Sequence, residues 1–152
     1  MVDVCGGYGG YIADGSRTYA LGPISAKMSE TFAFTLEVNR WVEDALRPGR
    51  IPSEIYAEVM ARVAKTPFAP YFMGTGENQV NFVAHGIGLE LDEFPVVAPK
   101  FDEPLEVNTV FAVEPKIFYP GLGGVGVENT YVVQSSGPPE RLTLSPTDIV
   151  CV

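Results

Sequence analysis

Histidine is all but absent from this sequence: His85 is the only one in 152 residues, so a metal site here would have to be rich in oxygen. Cysteine is scarce too. Cys5 and Cys151 stand at opposite ends with no metal-type spacing, which argues against a thiolate site. Two such thiols are expected as packed small residues in a reducing cytoplasm rather than as a disulfide. Positive charge is the third shortage. Ten Lys and Arg face nineteen Asp and Glu, a net charge of -9 with the basic residues scattered, so a nucleic-acid backbone is not an expected partner. No apolar run reaches the length of a membrane span, so no membrane partner is expected either. What is present is ordinary for a globular chain, 46% hydrophobic and 19% charged, and residues 1–152 are long enough for one domain with its own core.

The acidic residues are placed with more pattern than the rest. Val2 to Cys5 and Tyr11 to Tyr19 read as strands around Gly6-Gly7-Tyr8-Gly9-Gly10. A turn centred between Tyr8 and Gly9 sets Asp3 across from Asp14. Like charges so opposed destabilise a hairpin unless a cation lies between them, and a slipped register would leave both aspartates in water. A second hairpin follows the same plan. Residues 108–115 and 125–133 read as strands around Pro120-Gly121-Leu122-Gly123-Gly124, and Gly121 is the midpoint of Glu114 and Glu128. Between the hairpins, a short strand over 80–84 delivers His85 into His-Gly-Ile-Gly, followed by Glu90, Asp92 and Glu93.

The remainder reads as scaffold. Pro23 and Ser25 open a long helix that ends at Arg47-Pro48-Gly49, with Met28, Phe32, Leu36, Val42 and Leu46 on one face and Phe34, Val38, Trp41 and Ala45 widening it. A second helix carries Pro52 in its first turn and Ile55, Tyr56, Val59, Met60 and Val63 inward. Residues 66–81 form a loop whose aromatics either line a pocket or pack beneath it. Residues 95–104 are expected to be irregular and 141–144 a last short strand.

Four carboxylates and one imidazole brought together would repel one another and hold their protons. Two divalent ions would neutralise them, and such an oxygen-rich set suits manganese, cobalt, iron or zinc. Paired ions can activate water and stabilise the oxyanion of a hydrolytic reaction.

In order and context, Asp3, Asp14, His85, Glu114 and Glu128 resemble the five metal ligands of the methionine aminopeptidase, prolidase and creatinase family, whose fold is called the pita bread. The phrases that carry the likeness are Asp-x10-Asp with Ser16-Arg17-Thr18, His-Gly-Ile-Gly, Val-Glu-Pro and Val-Glu-Asn. The continuation Leu89-Glu90-Leu91-Asp92-Glu93-Phe94-Pro95 is similar to that of the proline-directed peptidases.

The resemblance implies an α+β pita-bread fold, a curved and mostly antiparallel sheet with helices on its outer face. It further implies two divalent metal ions (Mn, Co, Zn or Fe) and hydrolysis of small peptides at bonds next to proline. Glu114 would double as acid and base. Asp92 stands where many members have a second histidine that touches substrate, Gly126 where proline-directed members carry arginine, and Asn129 where aspartate is common. The ligands stay intact while substrate preference shifts. Family members have further strands and helices before the first ligand, so the resemblance implies a C-terminal portion of the catalytic domain, incomplete as an enzyme alone and prone to form homo-oligomers. The alternatives are a non-catalytic binding module on the same fold and a creatinase-like hydrolase of another carbon–nitrogen bond.

Overall fold

The first hairpin takes its register from Gly9 and Gly10. In the computed structural model, which describes residues 1–152, β1 (Val2–Tyr8) pairs antiparallel with β2 (Tyr11–Arg17), and Tyr8 lies opposite Tyr11. The glycines between them have φ of 61° and 89°. A two-residue turn with positive φ at both positions matches the twist of the strands, and glycine alone takes it without strain. Tyr8 therefore stays in the strand, and the turn lies beyond its expected centre. Asp3 is opposite Ser16, not Asp14, and Asp14 is opposite Cys5. The shift is by two residues, which preserves the face each side chain occupies. Asp3 and Asp14 become diagonal neighbours on one face instead of direct partners.

After the short β3 (Tyr19–Ala20), α1 (Ala26–Ala45) begins at Ser25, whose side chain accepts a hydrogen bond from the Met28 amide. It stops just before the Arg47-Pro48-Gly49 signal, and α2 (Pro52–Val63) places Pro52 where a missing N–H costs nothing. Val38, Val42 and Leu46 share one core with Ile55, Val59 and Val63, each burial stabilising by roughly 1.5–3 kcal/mol. Three polar residues of α1, Thr31, Thr35 and Asn39, are also buried, so its inner face is less uniformly apolar than its sequence pattern implies. The aromatics of the 66–81 loop pack rather than line a pocket. Phe72 is buried, Phe68 stacks on Phe34 at 4.6 Å, and Tyr71 meets Tyr119 at 4.6 Å.

The next strands are β4 (Ala84–Gly86), β5 (Glu93–Val97), β6 (Val110–Val113), β7 (Lys116–Tyr119), β8 (Gly123–Gly126), β9 (Asn129–Val132), β10 (Glu140–Arg141) and β11 (Val150–Cys151). His85 lies within β4 rather than just after a strand. β5 runs into the segment expected to be irregular. It is the edge strand of the sheet β10-β9-β6-β4-β5, where Pro95 does no harm to a ladder. Gly86 lies so close to it that a Cβ would come within 2.7 Å of the Glu93 carbonyl oxygen. That five-stranded sheet is antiparallel throughout, and β7 pairs with β8 in the same sense. The parallel pair is β11 with β3, which the sequence pattern did not signal because two residues show no periodicity.

α1 lies against β6, β7 and β8, and α2 against β5. No helix is long and apolar enough to cross a membrane. Both cysteines are free and exposed rather than packed, because β1 is open to solvent on both faces and β11 lies at a margin.

Candidate metal centre

Two interruptions of one hairpin carry the glutamates. Val113 pairs with Asn129 at the end of the β6–β9 ladder, and pairing resumes with Lys116 opposite Gly126 in β7–β8. Between these points lie Glu114-Pro115 on one strand and Val127-Glu128 on the other. Pro115 has no N–H to give, so the ladder lapses there. The common register makes Glu114 and Glu128 opposite numbers, as their spacing around Gly121 predicts. Both side chains are buried.

His85 comes from an inner strand of the five-stranded sheet, β4, between the edge strand β5 and the central β6. Its Nδ1 lies 3.0 Å from the Gly86 carbonyl oxygen. A carbonyl only accepts, so in the neutral ring that contact places the proton on Nδ1 and leaves a lone pair at Nε2. Nε2 points into the acidic group, 3.7 Å from Glu114 Oε1 and 3.9 Å from Glu128 Oε1. Asp14, half-buried on β2, closes the third side: ligand atoms of Asp14, His85 and Glu128 all lie within 4.8 Å of one another. Asp3 is exposed on β1, yet its charge helps to raise the pKa values of Asp14, Glu114 and Glu128. The fold thus brings all five candidate ligands within electrostatic reach, with Asp14, His85 and Glu128 the tightest subset.

The electrostatics record how costly this assembly is. Burial, then the charge of Glu114, pushes the Glu128 carboxyl up to about 8. Burial raises Glu114 as well, opposed by Lys116, whose ammonium bonds Glu114 Oε2. Burial and Asp3 raise Asp14. Ser16 Oγ donates to Glu128 Oε2 at 2.8 Å, while Glu128 Oε1 is buried with no hydrogen-bond partner. An orphaned carboxylate oxygen facing an imidazole lone pair is an arrangement a divalent cation satisfies and a second hydrogen-bond acceptor cannot. The residues present fit a metal ion.

Asp92 is placed differently from the others. Its Oδ1 is 3.5 Å from His85 Nδ1, the nitrogen turned away from the glutamates, and its side chain is 74% exposed. It does not join the acidic cluster.

Three residues support the centre, of which Ser16 and Arg17 stood in the sequence only as part of a family phrase and Asn39 had no role assigned. Ser16 holds Glu128. Arg17 donates to the carbonyl oxygens of Ser16, Glu128 and Pro146 and to Asn129 Oδ1, and so binds β2 to the Glu128 strand. Asn39 bonds the strand backbones from α1. The signal that could have found Asn39 is an amide inside an apolar stripe.

The sequence pattern of metallopeptidase family M24 matches residues 1–135. The chain belongs to this family. Among its M24 relatives, a Xaa-Pro dipeptidase from Lactobacillus delbrueckii subsp. lactis is 35% identical over 132 residues, covering 84% of this chain and 33% of the relative. The fold is that of solved Xaa-Pro peptidases. An X-Pro aminopeptidase from Thermotoga maritima MSB8 superposes with a TM-score of 0.87 at 28% identity, covering 99% of this chain and 40% of that one. A Xaa-Pro dipeptidase from Bacillus anthracis gives a TM-score of 0.82 at 32% identity, over 95% of this chain and 39% of that one. This M24 chain therefore spans about a third to two-fifths of the length of the relatives it matches.

Proposed function

We propose that Asp3, Asp14, His85, Glu114 and Glu128 hold two divalent metal ions, Mn, Co, Zn or Fe, and that this chain supplies the ligand-bearing part of a peptidase catalytic domain. The reaction is hydrolysis of the amide bond of small peptides next to proline. The observation that carries this reading is the convergence of Asp14, His85 and Glu128, with Glu128 Oε1 lacking any donor. The names of the relatives, Xaa-Pro dipeptidase and X-Pro aminopeptidase, support the substrate class.

When bound, the ions supply Lewis acidity toward the peptide carbonyl and activate water for attack. The chain's own residues do the rest. Gly86 O holds the Nδ1 proton of His85, so that Nε2 stays available as a ligand. Glu114 takes the proton of the attacking water and returns it to the leaving nitrogen, the acid and base role that the family resemblance implies for it. Asp92 lies beside His85 and open to solvent, and its charge would favour neutral or cationic groups in a substrate that reaches it. The protein acts in a reducing cytoplasm, where exposed Cys5 and Cys151 remain thiols, and it self-associates through its open strand β1.

Two measurements test this. Protein soaked in manganese or cobalt and then desalted is expected to retain up to two ions per chain, and a panel of dipeptides with and without proline reads the specificity. A protein that keeps no metal and shows no thermal shift with any of these ions would sink the proposal. The panel is read on the chain joined to the remainder of a catalytic domain, where metal retention with no hydrolysis of any peptide would leave a binding module or a hydrolase of another bond.

A further inference from the structure

Asn39 is a primary amide in the middle of a buried helix face, 4% exposed. A buried amide without partners is costly, so what it bonds matters. Its bonds leave the helix entirely. Nδ2 donates to Val113 O at 3.1 Å and to Val127 O at 3.2 Å, and Oδ1 accepts from the Tyr131 hydroxyl at 2.8 Å. The other buried polar residues of α1 behave otherwise: Thr35 bonds only Phe32 O within its own helix, and Thr31 bonds Lys27 O and the Tyr119 hydroxyl.

Val113 and Val127 immediately precede Glu114 and Glu128. They sit where the β6–β9 ladder lapses before β7–β8 begins. Backbone carbonyls in such a gap need donors from elsewhere. A single NH2 group reaching both binds two opposing strands to one rigid fork. It thereby sets the separation of the two residues that follow, without touching either carboxylate. The two carbonyls fix which way the amide faces, because each can only accept from Nδ2, and Oδ1 is left to accept from the Tyr131 hydroxyl.

We infer that Asn39 is a positioning residue for the metal centre: its amide fixes the spacing of Glu114 and Glu128 through the carbonyls before them. This rests on the metal reading proposed above. Metal sites demand ligand distances accurate to about 0.2 Å, so a fork that holds two ligand-bearing strands in register acts directly on affinity.

The test uses the whole chain with Asn39→Leu, the milder Asn39→Ser, which can serve at most one carbonyl, and Thr35→Val as a control for lost buried polarity. Metal-free protein is followed by amide hydrogen exchange. The Glu114 and Glu128 amides, which bond Val83 O and Ser16 O, are referred to the Val42 amide inside α1 to correct for global stability. Both Asn39 variants are expected to speed exchange at Glu114 and Glu128 relative to Val42 by about tenfold or more, and Thr35→Val to leave the ratio unchanged. In the second arm, calorimetry with manganese alone should show at least a tenfold weaker Kd for the Asn39 variants. The visible spectrum of the cobalt-loaded protein should shift in them and not in Thr35→Val.

Unchanged exchange ratios in the Asn39 variants would overturn the inference, as would a manganese Kd and cobalt spectrum equal to those of Thr35→Val. If Asn39→Leu does not fold, Asn39→Ser decides both arms. Failure of the wild-type chain to bind manganese or cobalt would strike the metal reading instead, with the exchange ratios still deciding whether Asn39 fixes the strands.

Discussion

Ser16 and Glu128 meet across 112 residues, the serine hydroxyl donating to Oε2 at 2.8 Å while Oε1 is left with no donor. One oxygen is satisfied by the fold and the other is free for a ligand. The cost of that half-satisfied state falls on the metal-free protein and is relieved on binding, so metal affinity and metal-free stability should trade against each other.

The sign of the pH dependence follows. Burial and Glu114 raise the Glu128 carboxyl from 4.5 to about 8, so between those values the folded metal-free protein holds a proton that the unfolded chain does not. That contribution is fully present below about pH 4.5 and is lost as pH rises through about 8, on the order of a few kcal/mol. Glu114 and Asp14 are raised too and act in the same sense. Thermal melts of metal-free protein should show Tm falling from pH 5 to pH 8.5, and saturating manganese should reverse the trend by displacing the protons. Glu128→Gln should flatten the slope and lower the number of ions retained. A metal-free Tm that rises with pH over this range would contradict the assignment.

Lys116 competes with a metal for the charge of Glu114: its ammonium bonds Oε2, while Oε1 faces His85 Nε2. Lys116→Met is expected to destabilise the metal-free protein by about 1–3 kcal/mol, because Glu114 is then buried without a partner. The same substitution should tighten manganese binding on the order of tenfold, equivalent to about 1.4 kcal/mol. Calorimetry beside denaturant titration reads both. Weaker manganese binding in Lys116→Met would show that the lysine supports the centre.

Asp92→His tests the role of the exposed acid beside His85 Nδ1. A side chain so open to solvent should change stability by less than about 0.5 kcal/mol. Turnover of a Xaa-Pro dipeptide, measured in an otherwise identical active background, is expected to rise as the extra negative charge goes. Equal or lower turnover would give Asp92 a role of its own.

β1 presents Val2, Val4 and Tyr8 to solvent along an open strand edge. Such an edge recruits a further strand. Light scattering should therefore show concentration-dependent oligomers, and Val4→Lys should shift them toward monomer without changing metal retention. A monomer at every concentration would mean that the hairpin is protected by its twist or its charges.

Spacing in the sequence determined which residues could share a centre, because an antiparallel hairpin brings together positions symmetric about its turn. For Glu114 and Glu128 that rule held through an interruption of both strands, and the family phrases around His85 marked the same centre. The helices were legible from the Ser25 cap, the Arg47-Pro48-Gly49 stop and the apolar stripe. Tertiary structure alone decided the rest. The turn at Gly9-Gly10 rather than Tyr8-Gly9, which moved Asp3 off Asp14, is the local exception, since a tyrosine takes the positive φ of such a turn only with strain. β5 could form with Pro95 only because it lies at an edge. Asn39, Arg17 and Ser16 reach partners on distant strands, and no periodicity along the chain records which carbonyl a buried amide will find. Composition and spacing act locally. Satisfying a buried polar group is a three-dimensional condition, met only once α1 lies against the strands that carry the two glutamates.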